Sequence, residues 1–287
     1  MNWKTFEKKV YIEMTKHYPE LNIISDIQLP GRFSKTSRQI DIYISGIIAG
    51  SYYQKIIDTK YYNKLIDVKV VEEFIGMLND LDCTSGMLIS NKGFTKSAIN
   101  RAINNPNYLD IDILSFDELS LSNEAKTVLG WTANSAVYIT APLGWTADLN
   151  VENTHCRVFL HSLRYKNKKE AMDKREYIYC IEESKAQYKD YKELSEEQVK
   201  RKQSEIPAPI NHHYSAWRSS SDKTYVLRTM YIEGSSSIET TIFFETDEDI
   251  FCLILVSPIV LMKTNFPKLI FSANSILFMK KQMEGIV

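Results

Sequence analysis

Two acidic positions and one lysine in the first quarter of the chain are residue types that can do chemistry together. Asp41 lies in Arg38-Gln39-Ile40-Asp41-Ile42-Tyr43-Ile44, and Asp58-Thr59-Lys60 closes Gln54-Lys55-Ile56-Ile57-Asp58-Thr59-Lys60. Both runs are rich in β-branched residues and are predicted as strands. Side chains alternate along a strand. Ile40, Ile42 and Ile44 are therefore expected on one face, with Asp41 on the other. Asp58 and Lys60 are expected to share a face while Thr59 points away. If the two strands are neighbours, two carboxylates and one ammonium converge, a group able to hold a divalent cation and hydrolyse a phosphodiester. The tripeptide alone proves nothing, because acid-x-Lys recurs at Glu7-Lys8-Lys9, Asp67-Val68-Lys69, Glu124-Ala125-Lys126, Glu183-Ser184-Lys185 and Asp190-Tyr191-Lys192. Only Asp58-Thr59-Lys60 follows a β-branched apolar run one hairpin after a strand with its own acid. The plain alternative is a surface ion pair.

The elements around these strands narrow the choice. Trp3, Phe6, Val10 and Met14 recur at helical spacing at the N-terminus, and Val71, Phe74, Ile75 and Leu78 do so between Val68 and Asp82. Gly86-Met87-Leu88-Ile89-Ser90 is a short apolar strand. Thr95 is placed to cap a helix carrying Ala98, Ile99 and Ala102, which Asn105-Pro106-Asn107 would stop. Leu109 to Leu114 is a last strand, leading into Asp117-Glu118-Leu119. The order is helix, three strands, helix, strand, helix, strand. Such alternation predicts a sheet covered on both faces by helices.

Phe6-Glu7, Arg38-Gln39-Ile40-Asp41, Ile57-Asp58-Thr59-Lys60-Tyr61-Tyr62, Val71-Glu72-Glu73-Phe74 and Gly86 to Ala98 form an ordered set. This set resembles the Mrr-like branch of the restriction-endonuclease-like nucleases over roughly residues 3–120. The resemblance implies an α/β/α domain with a mixed central sheet, acting on duplex DNA as a Mg²⁺-dependent endonuclease with Mn²⁺ as substitute. It implies that Asp41, Asp58 and the backbone carbonyl of Thr59 hold the metal. Lys60 would orient or help deprotonate the attacking water, and Glu7 would be an accessory acid for a second ion or water. The family usually has Glu or Gln at the position of Asp58; the shorter Asp bears on metal preference and rate. A restriction or anti-phage defence setting follows from the family alone. One active site cuts one strand, so duplex cleavage implies a homodimer or a partner protein. Glu13, six residues beyond Glu7 and on another side of the helix, does not share its role. Tyr61 and Tyr62 are read as packing residues, and Gln39 and Gln54 as bystanders.

The 287 residues suit two domains, placed at 1–122 and 123–287. Net charge is −1, and the first 120 residues carry 14 Lys/Arg against 15 Asp/Glu. That balance argues against tight binding of random duplex by this chain alone, since such proteins are usually basic. Ile250 to Met262, broken by Pro258, is too short to span a bilayer and reads as buried strand. Cys83, Cys156, Cys180 and Cys252 are scattered, so a reducing cytoplasm is expected rather than disulfides or zinc.

The second half is predicted as α+β with an antiparallel sheet. Strand-like runs lie at 157–160, 177–181, 225–232, 238–244 and 250–256, the last three forming a meander. Residues 164–205 read as one or two solvated helices, and 266–278 as a covering helix or a last strand. Leu129-Gly130-Trp131-Thr132-Ala133 returns as Leu143-Gly144-Trp145-Thr146-Ala147, too short an echo for a repeat. Asn211-His212-His213-Tyr214 is not expected to bind metal, because adjacent side chains point apart. Pro142-Leu143-Gly144-Trp145 and the closing apolar strand are faintly similar to PsbP-type or Mog1-type domains, with no transferable residues. The domain is expected to give target choice, oligomerisation or activation. The alternative readings are a degenerate nuclease fold acting as a nucleic-acid or protein binding module, and a nuclease for RNA or branched DNA.

Overall fold

The computed structural model describes residues 1–19, 21–48, 51–105, 109–124, 127–131, 135–148, 156–218 and 223–280. The chain divides into two units, Met1–Glu124 with Ser162–Lys166, and Ala125–His161 with Asn167–Val287.

The first unit follows the alternation read from the sequence. Its elements are α1 (Trp3–His17), β1 (Asn22–Pro30), β2 (Ser37–Ile48), β3 (Ser51–Lys60), α2 (Val68–Asp80), β4 (Ser85–Ser90), α3 (Lys96–Ile103), β5 (Asp110–Ser115) and α4 (Phe116–Glu124). Five strands form one mixed sheet in the order β1-β2-β3-β4-β5. The first three pair antiparallel, and β4 and β5 add in parallel through the crossovers α2 and α3. Both faces of β4 are covered, so all six of its residues are buried and none alternates.

Side-chain oxygens fix the helix starts. Asn2, Asp67 and Thr95 accept from the backbone N–H of Thr5, Lys69 and Ala98 respectively. On one face of the sheet, Val71, Phe74, Ile75 and Leu78 of α2 join Ala98 and Ala102 of α3 over Ile56, Leu88 and Ile111. Phe74 fits because β4 has Gly86 there; a Cβ at Gly86 would stand 2.6 Å from the Phe74 ring. On α1, Phe6, Val10 and Met14 are buried, and the Phe6 ring packs on Tyr61 and Phe116. Trp3, expected on the same buried side, is 58% exposed. Helical side chains lean toward the N-terminus, so the first residue of α1 overhangs the core it was expected to join. Pro106 and Asn107 lie outside the described residues, but Asn105 closes α3 by bonding the Ala102 and Leu109 carbonyls and the Leu109 N–H.

The return of Ser162–Lys166 to this unit was not legible in the sequence. Ser162 Oγ donates to Asp112 Oδ1 (3.0 Å), and Arg164 Nη2 donates to Asp110 Oδ1 (2.7 Å). Lys55, fully buried, donates to Asp112 Oδ2 at 2.7 Å. Burial alone would depress the Lys55 ammonium, but Asp112 above all keeps it protonated, its pKa pushed up. Two cations thus balance two carboxylates in the interior, the condition under which buried charge is tolerated.

The second unit holds β6 (Thr127–Trp131), β7 (Ser135–Thr140), β8 (Trp145–Asp148), β9 (Cys156–Ser162), α5 (Lys168–Asp173), β10 (Tyr177–Ser184), α6 (Tyr191–Glu205), β11 (Ile210–Arg218), β12 (Thr224–Ile232), β13 (Ser237–Glu245), β14 (Asp249–Pro258), α7 (Met262–Ser275) and β15 (Leu277–Lys280). A seven-stranded sheet runs β11-β12-β13-β14-β10-β9-β8, and a three-stranded one runs β15-β7-β6. The meander begins one strand earlier than expected, because β11 contains the polar Asn211–Tyr214 run; both histidines there are exposed. Residues 266–278 are helix followed by strand. The five-residue echo marks no equivalent turns: Leu129 and Gly130 lie within β6, whereas Gly144 takes a positive φ before β8. Thr132 and Ala133 lie outside the described residues. Among the described residues no helix is long and apolar enough to cross a membrane.

Candidate active site

β2 and β3 pair in register from Ile48↔Ser51 to Ile42↔Ile57, and there the ladder ends. Asp41 is the next residue of β2. Its carboxylate takes the place of the ladder, with Oδ2 accepting the Thr59 N–H at 2.7 Å and the Thr59 hydroxyl at 2.9 Å. The pairing of β1 with β2 skips Asp26 and Asp41, and Asp26 adopts φ 54°, a conformation that short polar residues tolerate best. Alternation slips at the same place. Ile40 packs in the α2–α3 cluster with Ile56, although the residue opposite Ile56 in β2 is Tyr43, out of phase with Ile40. One sequence-based expectation is corrected here: Ile40 leaves the face of Ile42 and Ile44. The cause is the interrupted ladder on both sides of Asp41.

Asp58 and Lys60 share a face as alternation requires. Lys60 Nζ stands 2.7 Å from Asp58 Oδ2 and 3.0 Å from Oδ1. Their side chains are 16% and 25% exposed, so the pair is recessed but reachable. Burial first, and Asp41 next, push the Asp58 carboxyl up to about 6 against the opposing pull of Lys60. Burial, then Asp41 and Asp26, also raise Glu7, which places this α1 carboxylate in the field of the same acids. Burial works against the charge on Lys60, but Asp58 and Asp41 outweigh it and its pKa is raised.

The remaining residues singled out in the sequence have local partners. Gln39 donates to Asp26 and Gln54 to the Asp82 carbonyl. Tyr61 packs on Phe6, and the Tyr62 N–H bonds Asn91. Glu13 pairs with His17 within α1. Asp26 was not foreseen as part of the acidic field; only its position opposite Asp41, a long-range pairing, reveals it.

Among the described residues no three His, Cys, Asp or Glu side chains stand close enough together to hold a metal by themselves. The donor set nevertheless suits a hard divalent cation that keeps most of its waters. Two carboxylates sit side by side, one of them pushed toward protonation by burial first and by the other second, and the two offer only oxygen donors. A cation there would favour the charged form of Asp58 that burial and Asp41 oppose.

Residues 1–120, less than half of the 287-residue chain, match the restriction endonuclease family model Mrr_cat. No curated protein matches the chain. Among solved structures, the crystal structure of a protein of unknown function, AF1548, is 13% identical, with a TM-score of 0.35, covering 45% of this chain and 69% of that one. The solution structure of the cyanobacterial PsbP (CyanoP) from Synechocystis sp. PCC 6803 is 11% identical, with a TM-score of 0.36, covering 53% and 92%. Neither value establishes a shared fold. The family match and the mixed five-stranded sheet together identify residues 1–120 as a restriction endonuclease domain of the Mrr-like kind.

Proposed function

We propose that the chain is a metal-dependent endonuclease that hydrolyses phosphodiester bonds of duplex DNA. The observation that carries this reading is the convergence of Asp41, Asp58 and Lys60 where the β2–β3 ladder opens. Asp41 and Asp58, with the Thr59 carbonyl, would hold Mg²⁺, or Mn²⁺ in its place, and Glu7 would assist through a second ion or water. The bound ion would lower the pKa of a water and screen the phosphate.

The chain's own residues set the rest. Thr59 fixes Asp41 through two hydrogen bonds, so that carboxylate cannot swing away from the site. The raised pKa of Lys60 keeps it an ammonium at neutral pH. It therefore acts as a donor that orients the attacking water and offsets charge growing on the phosphoryl oxygens, rather than as the resting base. In-line attack would leave a 5′-phosphate.

Residues 1–122 would be the nuclease domain, and 123–287 would supply target choice, oligomerisation or activation. A restriction or anti-phage role in the cytoplasm, with a homodimer or partner for double-strand cleavage, completes the reading. Substituting Asp58→Ala tests it against a binding module. An enzyme loses cleavage and keeps or tightens DNA binding, because one repelling carboxylate near phosphate is gone; DNA binding without cleavage in the unsubstituted protein under any divalent metal contradicts it.

A further inference from the structure

The sheet end that carries the site is acidic on one side and basic on the other. β1 and β2 bring Asp26 and Asp41 there, and β3 brings Asp58 and Lys60. The next strand, β4, runs parallel to β3 with Ser90 beside Lys60, so the segments that leave the two strands start from the same end. Residues 60–67 and 90–97 hold four lysines, Lys60, Lys64, Lys92 and Lys96, against one acid, Asp67. That carboxylate is already engaged by the Lys69 N–H at the start of α2. The net charge of −1 conceals this local excess.

Hydrogen bonds join the two segments into one rim. The Asn91 N–H donates to the Lys60 carbonyl, and the Tyr62 N–H to Asn91 Oδ1. The Ile66 N–H donates to the Gly93 carbonyl, and the Ile66 carbonyl accepts from the Thr95 N–H. The buried Ser90 Oγ accepts the N–H groups of Lys92 and Gly93, and Gly93 turns the chain at φ 86°. The backbone is thus tied down, while the side chains of Lys64, Lys92 and Lys96 are exposed. Among the described residues none of these three has an ion-pair partner, whereas Arg38 and Arg101 of the same unit are each held by a carboxylate.

We infer that Lys64, Lys92 and Lys96 are the footing for duplex DNA, pairing with backbone phosphates that flank the scissile one on the β4 side of the site. The inference rests on the nuclease reading and assigns the surface that meets the substrate. Asp26, Asp41 and Asp58 repel a polyanion from the other side, so the lysine rim sets the direction of approach. Phosphate contacts fix register and carry no sequence information; this surface supplies affinity and leaves target choice elsewhere.

Fluorescence anisotropy of a labelled duplex with the full chain, in EDTA and in Ca²⁺ over a range of salt, tests it, with plasmid nicking in Mg²⁺ run beside it. Each of Lys64→Ala, Lys92→Ala and Lys96→Ala should reduce the steepness of log affinity against log salt by about 0.9, and the triple variant by about 3. Lys16→Ala, at an exposed position in the last turn of α1, should leave the slope unchanged. A parent that binds no duplex in either condition overturns the inference, as does an equal effect from Lys16→Ala. A parent that nicks plasmid while the three variants keep its full salt slope overturns the inference and leaves the nuclease reading standing. A parent that binds through these lysines but never nicks sustains the phosphate contacts and removes the nuclease reading.

Discussion

Substituting Asp58→Asn should stabilise the first unit while ending its chemistry. The Asp58 carboxyl is raised from an ordinary 3.8 to about 6, chiefly by burial and by Asp41. Between those two values the folded state binds a proton that the unfolded state has released. Stability therefore falls as pH rises from about 4 to about 6, and stays at the lower level above. A shift of about two pH units corresponds to about 3 kcal/mol. At 16% exposure, solvent screening does not remove most of it. Asn mimics the protonated acid, so the variant should be more stable than the parent by up to about 3 kcal/mol at pH 7.5 in EDTA, and equal to it near pH 4. A chain of two units need not unfold in one step. The assay is therefore hydrogen exchange read on peptides from β3 and β4, at both pH values. Adding Mg²⁺ should protect the parent, by mass action on the folded state, and leave the variant nearly unchanged. A variant less stable than the parent at pH 7.5, or a difference that does not vary with pH, would refute the electrostatic account of the site.

The same raised pKa makes protons compete with the metal, so the half-saturating Mg²⁺ for cleavage should rise about tenfold per unit as pH falls below about 6; a flat dependence between pH 5 and 7 would count against Asp58 as a ligand. Gly31→Ala should loosen the β1–β2 turn by about 1–3 kcal/mol, because its Cβ would collide with Asp80 Oδ2, a carboxylate held by Phe33, Ser34 and Arg38; exchange of the turn amides measures it. Arg164→Ala should cost about 3–5 kcal/mol, the penalty for removing one partner of a buried ion pair, and should appear in the β5 peptides of the first unit; a loss below about 1 kcal/mol would show that Asp110 does not depend on it.

Most of the first unit was legible because its signals are local. The spacing of Val71, Phe74, Ile75 and Leu78 specifies one face of α2, and Thr95 marks the start of α3. The alternation of Ile57, Asp58, Thr59 and Lys60 was enough to put the acid and the lysine together. What stayed hidden depends on pairings between distant residues. The hydroxyl of Thr59 faces Asp41 because the ladder stops at Ile42↔Ile57 and is skipped at Asp26, and no property of the tripeptide encodes that. Ser162 and Arg164 look like ordinary polar residues until Asp112 and Asp110 are placed beside them. β11 escaped because its edge position leaves nearly every residue exposed, so a polar run such as Asn211-His212-His213-Tyr214 carries no apolar alternation to read. Arg228, buried at 1% exposure, sits in a strand whose apolar neighbours gave no hint of a buried charge.

The most direct test of the central claim is nicking of supercoiled plasmid by the purified protein with Mg²⁺, Mn²⁺ or EDTA, beside Lys60→Ala. The account predicts nicking that requires the divalent ion and is lost in the variant. Cleavage that persists in EDTA, or that survives Lys60→Ala at the parent rate, would contradict it.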